Sequence, residues 1–203
     1  MSGSTSTTRD NILNVASELY ASKGYTAVSM RDVAAVVGVT PANLYHHFKD
    51  KECLIRAALA QVFGERTAPL ETLLLAQASP AQQFDCFIDW FVRLVFDDTI
   101  FSRLLTRELL DGTPERLRYL TQTVFDRPIS LLTQVMRARP SDADPVLSVI
   151  SVTSIILGHR QLAAALPHLR EGKADYADTQ ILIEHLKALL CRAFTGVPDA
   201  GRV

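Results

Sequence analysis

Cysteine is scarce: Cys53, Cys86 and Cys191 are the only three in 203 residues. Their odd number and wide spacing exclude a disulfide-framed secreted scaffold and suit a reducing compartment, each reading as a small buried apolar residue. Net charge is equally scarce. With 21 Lys and Arg against 22 Asp and Glu, the formal charge is −1, which denies the chain any global attraction to nucleic acid or anionic lipid. A polyanion would have to be met by local geometry. Two-residue strand alternation is lacking, as are low-complexity blocks and repeats of roughly 20 to 50 residues. The most apolar stretch, residues 146–157, is broken by Ser148, Ser151, Thr153 and Ser154 and runs into His159 and Arg160. It is too short for a bilayer span and is expected to form a buried helix, so no membrane partner is expected. Residues 1–8 are rich in Ser and Thr without an apolar stretch. They read as a flexible tail rather than a secretory signal, which places the protein in the cytoplasm. Also missing are a Gly-rich phosphate loop, a Gly-x-Ser-x-Gly elbow, a His-Glu-x-x-His helix and a paired cysteine site. Neither an enzyme nor a bound cofactor is therefore expected.

What is present is helical. Hydrophobic residues make up 48% and charged residues 21% of the chain, an ordinary folded composition. Four junctions, Thr40-Pro41, Ser79-Pro80, Thr113-Pro114 and Asp144-Pro145, place a capping side chain just before a proline that needs no amide donor in the first helical turn. A first helix is predicted over about residues 8–23, with Ile12, Val15, Ala16 and Leu19 inward and Gly24 stopping it. A second starts at Ser29, which with Asp32 forms a capping box, buries Met30, Val33, Ala34 and Val37, and stops at Gly38. A third follows Thr40-Pro41 and buries Leu44 and Phe48. Asp50 caps a fourth that buries Leu54, Ile55, Ala58 and Leu59, and Pro69 kinks or ends it. Further helices are predicted near 80–96, 98–110, 114–139, 143–166 and 175–195. The fold class is all-α with about nine helices, and residues 197–203 form a loose tail.

Two short helices joined through Gly38-Val39-Thr40 have the length and turn chemistry of a helix-turn-helix, with glycine at the corner and Val39 plugging the gap. The surrounding segment carries Ile12-Leu13, Ala16, Leu19-Tyr20, Gly24-Tyr25, Ser29-Met30, Val33-Ala34, Gly38-Val39-Thr40, Leu44-Tyr45, His47-Phe48 and Lys51-Glu52. In that register it resembles the N-terminal signature of the TetR family of transcriptional regulators. The resemblance covers about a quarter of the chain strongly. It implies a three-helix DNA-binding head at residues 9–52 and a helical effector-binding and dimerisation domain at 53–196.

By the same resemblance, Arg31, Pro41, Ala42, Asn43 and Tyr45 occupy the base-reading positions. Their chemistry suits the role: Asn pairs bidentately with adenine, Arg with guanine, and apolar surface meets thymine methyls. Phosphates would be met by Thr40, Tyr45, His46, Lys49 and Lys51, contacts that set register without reading sequence. Over residues 1–52, five cations (Arg9, Lys23, Arg31, Lys49 and Lys51) face five anions (Asp10, Glu18, Asp32, Asp50 and Glu52). A modest salt dependence dominated by Lys49 and Lys51 follows. The adjacent His46 and His47 point about 100° apart on a helix and do not suit one metal ion.

Beyond the head, Phe84, Phe87, Ile88, Phe91, Leu94 and Val95 recur at helical spacing beside Trp90, with polar groups in otherwise apolar helices. An apolar cavity with a few converging polar groups is what holds a small molecule. Phe87, Trp90, Phe91, Arg103, Arg107, Tyr119 and His159 are the ligand candidates, and the aromatic excess points to a small, largely apolar effector. Residues 146–157, with the stripe Ile181, Leu182, Leu186, Leu189, Leu190 and Phe194, are too apolar for solvent. In the family the resemblance implies, the last two long helices pair with their twins, giving a homodimer on a palindromic operator. The expected function is a repressor released by its effector. The alternatives are a metal or redox sensor using His159, His168, His185 or the cysteines, or an all-helical enzyme.

Overall fold

The computed structural model describes residues 8–194, and among these the regular structure is helical throughout. The α-helices are α1 (Thr8–Lys23), α2 (Met30–Val37), α3 (Pro41–His47), α4 (Lys51–Thr67), α5 (Pro69–Leu75), α6 (Pro80–Asp97), α7 (Thr99–Asp111), α8 (Pro114–Leu120), α9 (Asp126–Arg137), α10 (Pro145–Leu162) and α11 (Thr179–Phe194). Taking α4 with α5 and α8 with α9 recovers the nine expected helices. The expected tails at 1–8, apart from Thr8, and at 197–203 lie outside the described residues.

Local chemistry sets most boundaries. At each of the four Ser/Thr/Asp-Pro junctions the capping oxygen accepts an amide two residues past the proline, from Asn43, Gln82, Arg116 and Leu147. Gly38, at φ 81°, closes α2 in the left-handed region, with its amide donating to the Ala34 carbonyl. Asp50 Oδ1 accepts the Cys53 amide at 2.8 Å and opens α4.

The chain forms two compact units. The first joins everything up to Thr67 with Thr99–Phe125; the second joins Ala68–Asp98 with the chain from Asp126 onward. In the first, α1 packs on α2, α4 and α7, and α4 also meets α7 and α8. Ile12, Tyr20, Val33, Leu44, Leu54, Phe63 and Leu104 are its fully buried centre. Each such side chain contributes on the order of 1.5–3 kcal/mol relative to exposure. In the second unit α6 is central, packing against α5, α9, α10 and α11, with Phe84, Ile88, Val92 and Val95 inside.

Several expectations change. The buried stripe of α1 is Ile12, Leu13, Ala16, Ser17 and Tyr20, while Val15 and Leu19 are only half-buried. Neighbours on several sides widen and rotate the covered arc. Pro69 ends α4 but also starts a two-turn helix, α5, which periodicity did not announce. The single helix expected over 114–139 is interrupted by a π-helical turn, Thr121–Phe125. Pro128 has no amide for the Val124 carbonyl, and the wider turn sits where that bond is missing. Helix α10 tightens into a 3₁₀ segment, Ala163–His168, that contains Pro167. Helix α11 starts at Thr179 because Asp178 Oδ1 takes the amides of Gln180 and Ile181. The stretch 146–157 is not buried as expected: Val146, Leu147 and Ile150 face outward at 46%, 66% and 49% exposure. Pro145–His168 is long and apolar enough, by length and composition, to span a bilayer, and only 17% of its most apolar window is buried.

Candidate nucleic-acid interface

The helix-turn-helix is built from short-range hydrogen bonds around an apolar wedge. Asp32 Oδ2 accepts from the Ser29 hydroxyl at 2.7 Å and from the Ser29 amide at 2.8 Å, and the Asp32 amide donates to Ser29 Oγ at 3.2 Å. These bonds hold the Asp32 carboxyl below the usual carboxylate range. The start of α2 is thus fixed by a closed reciprocal pair. After the left-handed Gly38, Thr40 Oγ1 accepts the Asn43 amide at 3.2 Å. The hydroxyl proton of Thr40 remains available to a further acceptor.

Leu44 and Phe48 are buried at 0% and 4% exposure and anchor α3 from beneath, with Val39 half-buried at the turn. Arg9 lies over the Phe48 ring, its guanidinium carbon 5.2 Å from the centroid. With Leu44 turned inward, Pro41, Ala42, Asn43, Tyr45 and His46 are all exposed on α3, Tyr45 at 52%. Arg31 is exposed in the first turn of α2, Thr40 and Lys49 are exposed beside α3, and Lys51 is half-buried at the start of α4. The two predicted contact sets therefore lie on and beside one short helix. Such a surface can offer hydrogen-bond donors and apolar patches to a groove and donors to a flanking phosphate backbone.

A second feature of this unit escaped sequence reasoning. Arg116 Nε donates to both carboxylate oxygens of Glu108, at 2.8 and 2.7 Å, and its Nη1 donates to Glu52 Oε2 at 3.0 Å. Arg116 and Glu108 are 4% and 1% exposed. The guanidinium also stacks over Tyr25, 4.9 Å from the ring centroid. The network ties the first turn of α4, which carries Lys51, to α7 and α8. Its only sequence signal was charge inside apolar helices.

The ligand candidates divide between the units. Phe87, Trp90 and Phe91 form one aromatic cluster on α6, with centroids 5.5 to 6.1 Å apart. Trp90 lines a groove of about 600 Å³ with Leu73, Cys86, Asp89 and Lys187. Phe87 borders an apolar gap of only about 10 Å³. His159 is half-buried, 6.2 Å ring to ring from His185, and burial followed by His185 pulls its pKa below the usual value. Arg103, Arg107 and Tyr119 belong to the other unit. There Arg103 is exposed, Tyr119 packs under Arg56, and Arg107 lines a separate cleft.

Residues 12–58 match the family model described as bacterial regulatory proteins, tetR family. The chain is 34% identical over 76 residues to the HTH-type transcriptional repressor KstR2 of Mycolicibacterium smegmatis, a match covering 32% of this chain and 37% of the repressor. It thus spans little more than a third of that relative's length. It is 30% identical over 155 residues to the HTH-type transcriptional regulator Mb3439c of Mycobacterium bovis, covering 76% of this chain and 73% of that one. Among solved structures, it superimposes with a TM-score of 0.75 and 20% identity on a bacterial regulatory protein of the tetR family from Rhodococcus RHA1, over 94% of this chain and 98% of the other.

Proposed function

Because this chain belongs to the TetR family of bacterial regulatory proteins, we propose that it is a cytoplasmic DNA-binding transcriptional regulator, a homodimer that represses from a palindromic operator. The observation carrying this reading is the exposed face of α3, Pro41, Ala42, Asn43 and Tyr45, held rigid from below by Leu44 and capped by Thr40. Asn43 and Arg31 supply the base-specific donors. Thr40, Tyr45, His46, Lys49 and Lys51 meet phosphates and set register. In functional terms residues 9–52 are the DNA-binding head, and 53–196 carry effector binding and dimerisation. The sense of regulation follows KstR2, a repressor by name.

The outward apolar surface of α10 and α11, with Leu147, Ile150, Ile181 and Leu189 exposed, supports a homodimer. Ser151, Ser154, Gln161 and the adjacent His159 and Arg160 suit a protein partner better than lipid. Two heads then face half-sites about one helical turn of DNA apart or a multiple of it. A small, largely apolar effector is proposed to engage Phe87, Trp90, Phe91 and His159 of the second unit; Arg103, Arg107 and Tyr119 lie in the first unit and are not part of this site. The effector releases DNA by favouring the incompetent head spacing, with coupling on the order of 1–3 kcal/mol.

The sensor alternatives draw less support. No group of three His, Cys, Asp or Glu suited to a metal ion occurs among the described residues. Burial, followed by Asp89, pushes the Cys86 thiol up, away from the reactive thiolate. The decisive experiment is selection of bound duplex from a random pool by the purified dimer. A palindromic consensus is expected, and Asn43→Ala should relax preference at one base pair per half-site by about 1–3 kcal/mol. Binding indifferent to sequence overturns the reading.

A further inference from the structure

Within the first compact unit, the end of α1, the turn after it, the first turn of α4 and the α7–α8 corner enclose a cleft of about 830 Å³. We propose that this cleft binds a small molecule through an oxyanion group, phosphate or carboxylate, held by Arg107 with Lys23 and Lys51. Three observations carry the inference.

The first is the placement of Arg107. Gly24 has φ +85°, and a Cβ there would stand 2.9 Å from Arg107 Nη1. The absent side chain lets the guanidinium lie against the backbone turn, where its planar fork of donors matches an oxyanion.

The second is unmet hydrogen-bonding capacity. Arg107 Nε and the Tyr25 hydroxyl are both buried with no hydrogen-bond partner among the described residues. Such groups are uncommon in native proteins and call for a partner. Burial, followed by Glu108, raises the Tyr25 pKa well above its usual range, so the hydroxyl keeps its proton and can donate.

The third is the charge balance of the walls. The lining cations are Lys23, Lys51, Arg107 and Arg116, and the lining acids are Glu52 and Asp111. Arg116 and Glu52 are bonded to one another, and Arg116 also holds Glu108. With Glu108 counted beside the wall, Lys23, Lys51, Arg107 and Arg116 meet Glu52, Glu108 and Asp111, a local excess of one positive charge in a chain whose total charge is −1. Ala27 and Ile55 supply apolar wall, so the cleft suits an anion with an organic body. This site does not include the aromatic cluster of α6, and it shares only Lys51 with the proposed DNA-phosphate contacts, so it is tested in the absence of DNA.

The test uses the full chain without DNA, titrated separately with inorganic phosphate and with citrate at constant ionic strength. The readouts are calorimetry and the ¹⁵N–¹H signal of Arg107 Nε. A saturable shift with at least one anion is expected; phosphate alone identifies a phosphoryl ligand and citrate alone a carboxylate. Arg107→Gln and Lys23→Met should each weaken binding about tenfold or more, and Lys173→Met, outside the cleft, should not. Lys23 is exposed, so Lys23→Met keeps the test decisive should Arg107→Gln misfold. A linear, unsaturable response to both anions overturns the proposal. So does binding unchanged in Lys23→Met and Arg107→Gln.

Discussion

Arg116 shows how much one residue can hold. It is buried, bonds Glu108 and Glu52 together, and covers the Tyr25 ring. Arg116→Met would leave the Glu108 carboxylate buried without its counter-charge, an arrangement that costs about 3–5 kcal/mol. Urea unfolding should record that loss, and adding Glu108→Gln should return much of it, because the stranded charge is then gone. His159 gives the pH dependence at this scale. Its folded pKa is depressed, so the unfolded chain binds the extra proton first. Stability should hold above the unfolded histidine value, about 6.5, and fall as pH drops through it toward the lower folded value. Thermal unfolding from pH 7.5 to 5.5 should show this fall, and His159→Gln should flatten it. The Leu44 and Phe48 anchors were legible from spacing alone. The partner of Arg116 was not: Glu52 lies 64 positions away, beyond any local pattern.

At the scale of elements, the turn between α2 and α3 offers the cleanest experiment. Gly38 has φ +81° and open space where a Cβ would stand, whereas Gly24 combines φ +85° with the close approach of Arg107. Gly38→Ala should therefore cost only the left-handed backbone penalty, about 1–2 kcal/mol. Gly24→Ala should cost more, since the guanidinium must also move. Denaturant midpoints for both variants check the ordering. Caps and prolines announced most helix boundaries because each acts over three or four residues. The π-helical turn before Pro128 and the 3₁₀ tightening after Leu162 were hidden, because both settle competition between neighbouring hydrogen bonds within otherwise helical sequence.

At the scale of the molecule, the prediction concerns assembly. Leu147 and Ile150 stand 66% and 49% exposed on α10, more apolar surface than a solvated helix needs. If α10 forms the proposed dimer interface, the paired change Leu147→Glu with Ile150→Glu should convert the proposed dimer to monomers in sedimentation, and affinity for the proposed operator should fall with it, while helical content stays unchanged. A variant that remains dimeric would remove α10 from the interface. Reading 146–157 as buried was wrong for the single chain, because an apolar run reports a need for cover without saying which molecule supplies it.

Sequence alone determined the helical class, the helix-turn-helix and the composition of its exposed face. Those follow from periodicity, capping oxygens, prolines and a left-handed glycine, all of which act on near neighbours along the chain. Only the tertiary structure decided that α7 and α8 pack with the head, that Arg116 draws Glu52 and Glu108 together, and that Arg107 lies against Gly24 beside a basic cleft. Such meetings depend on which distant surfaces bury each other, a property of the folded whole that no short window of residues contains.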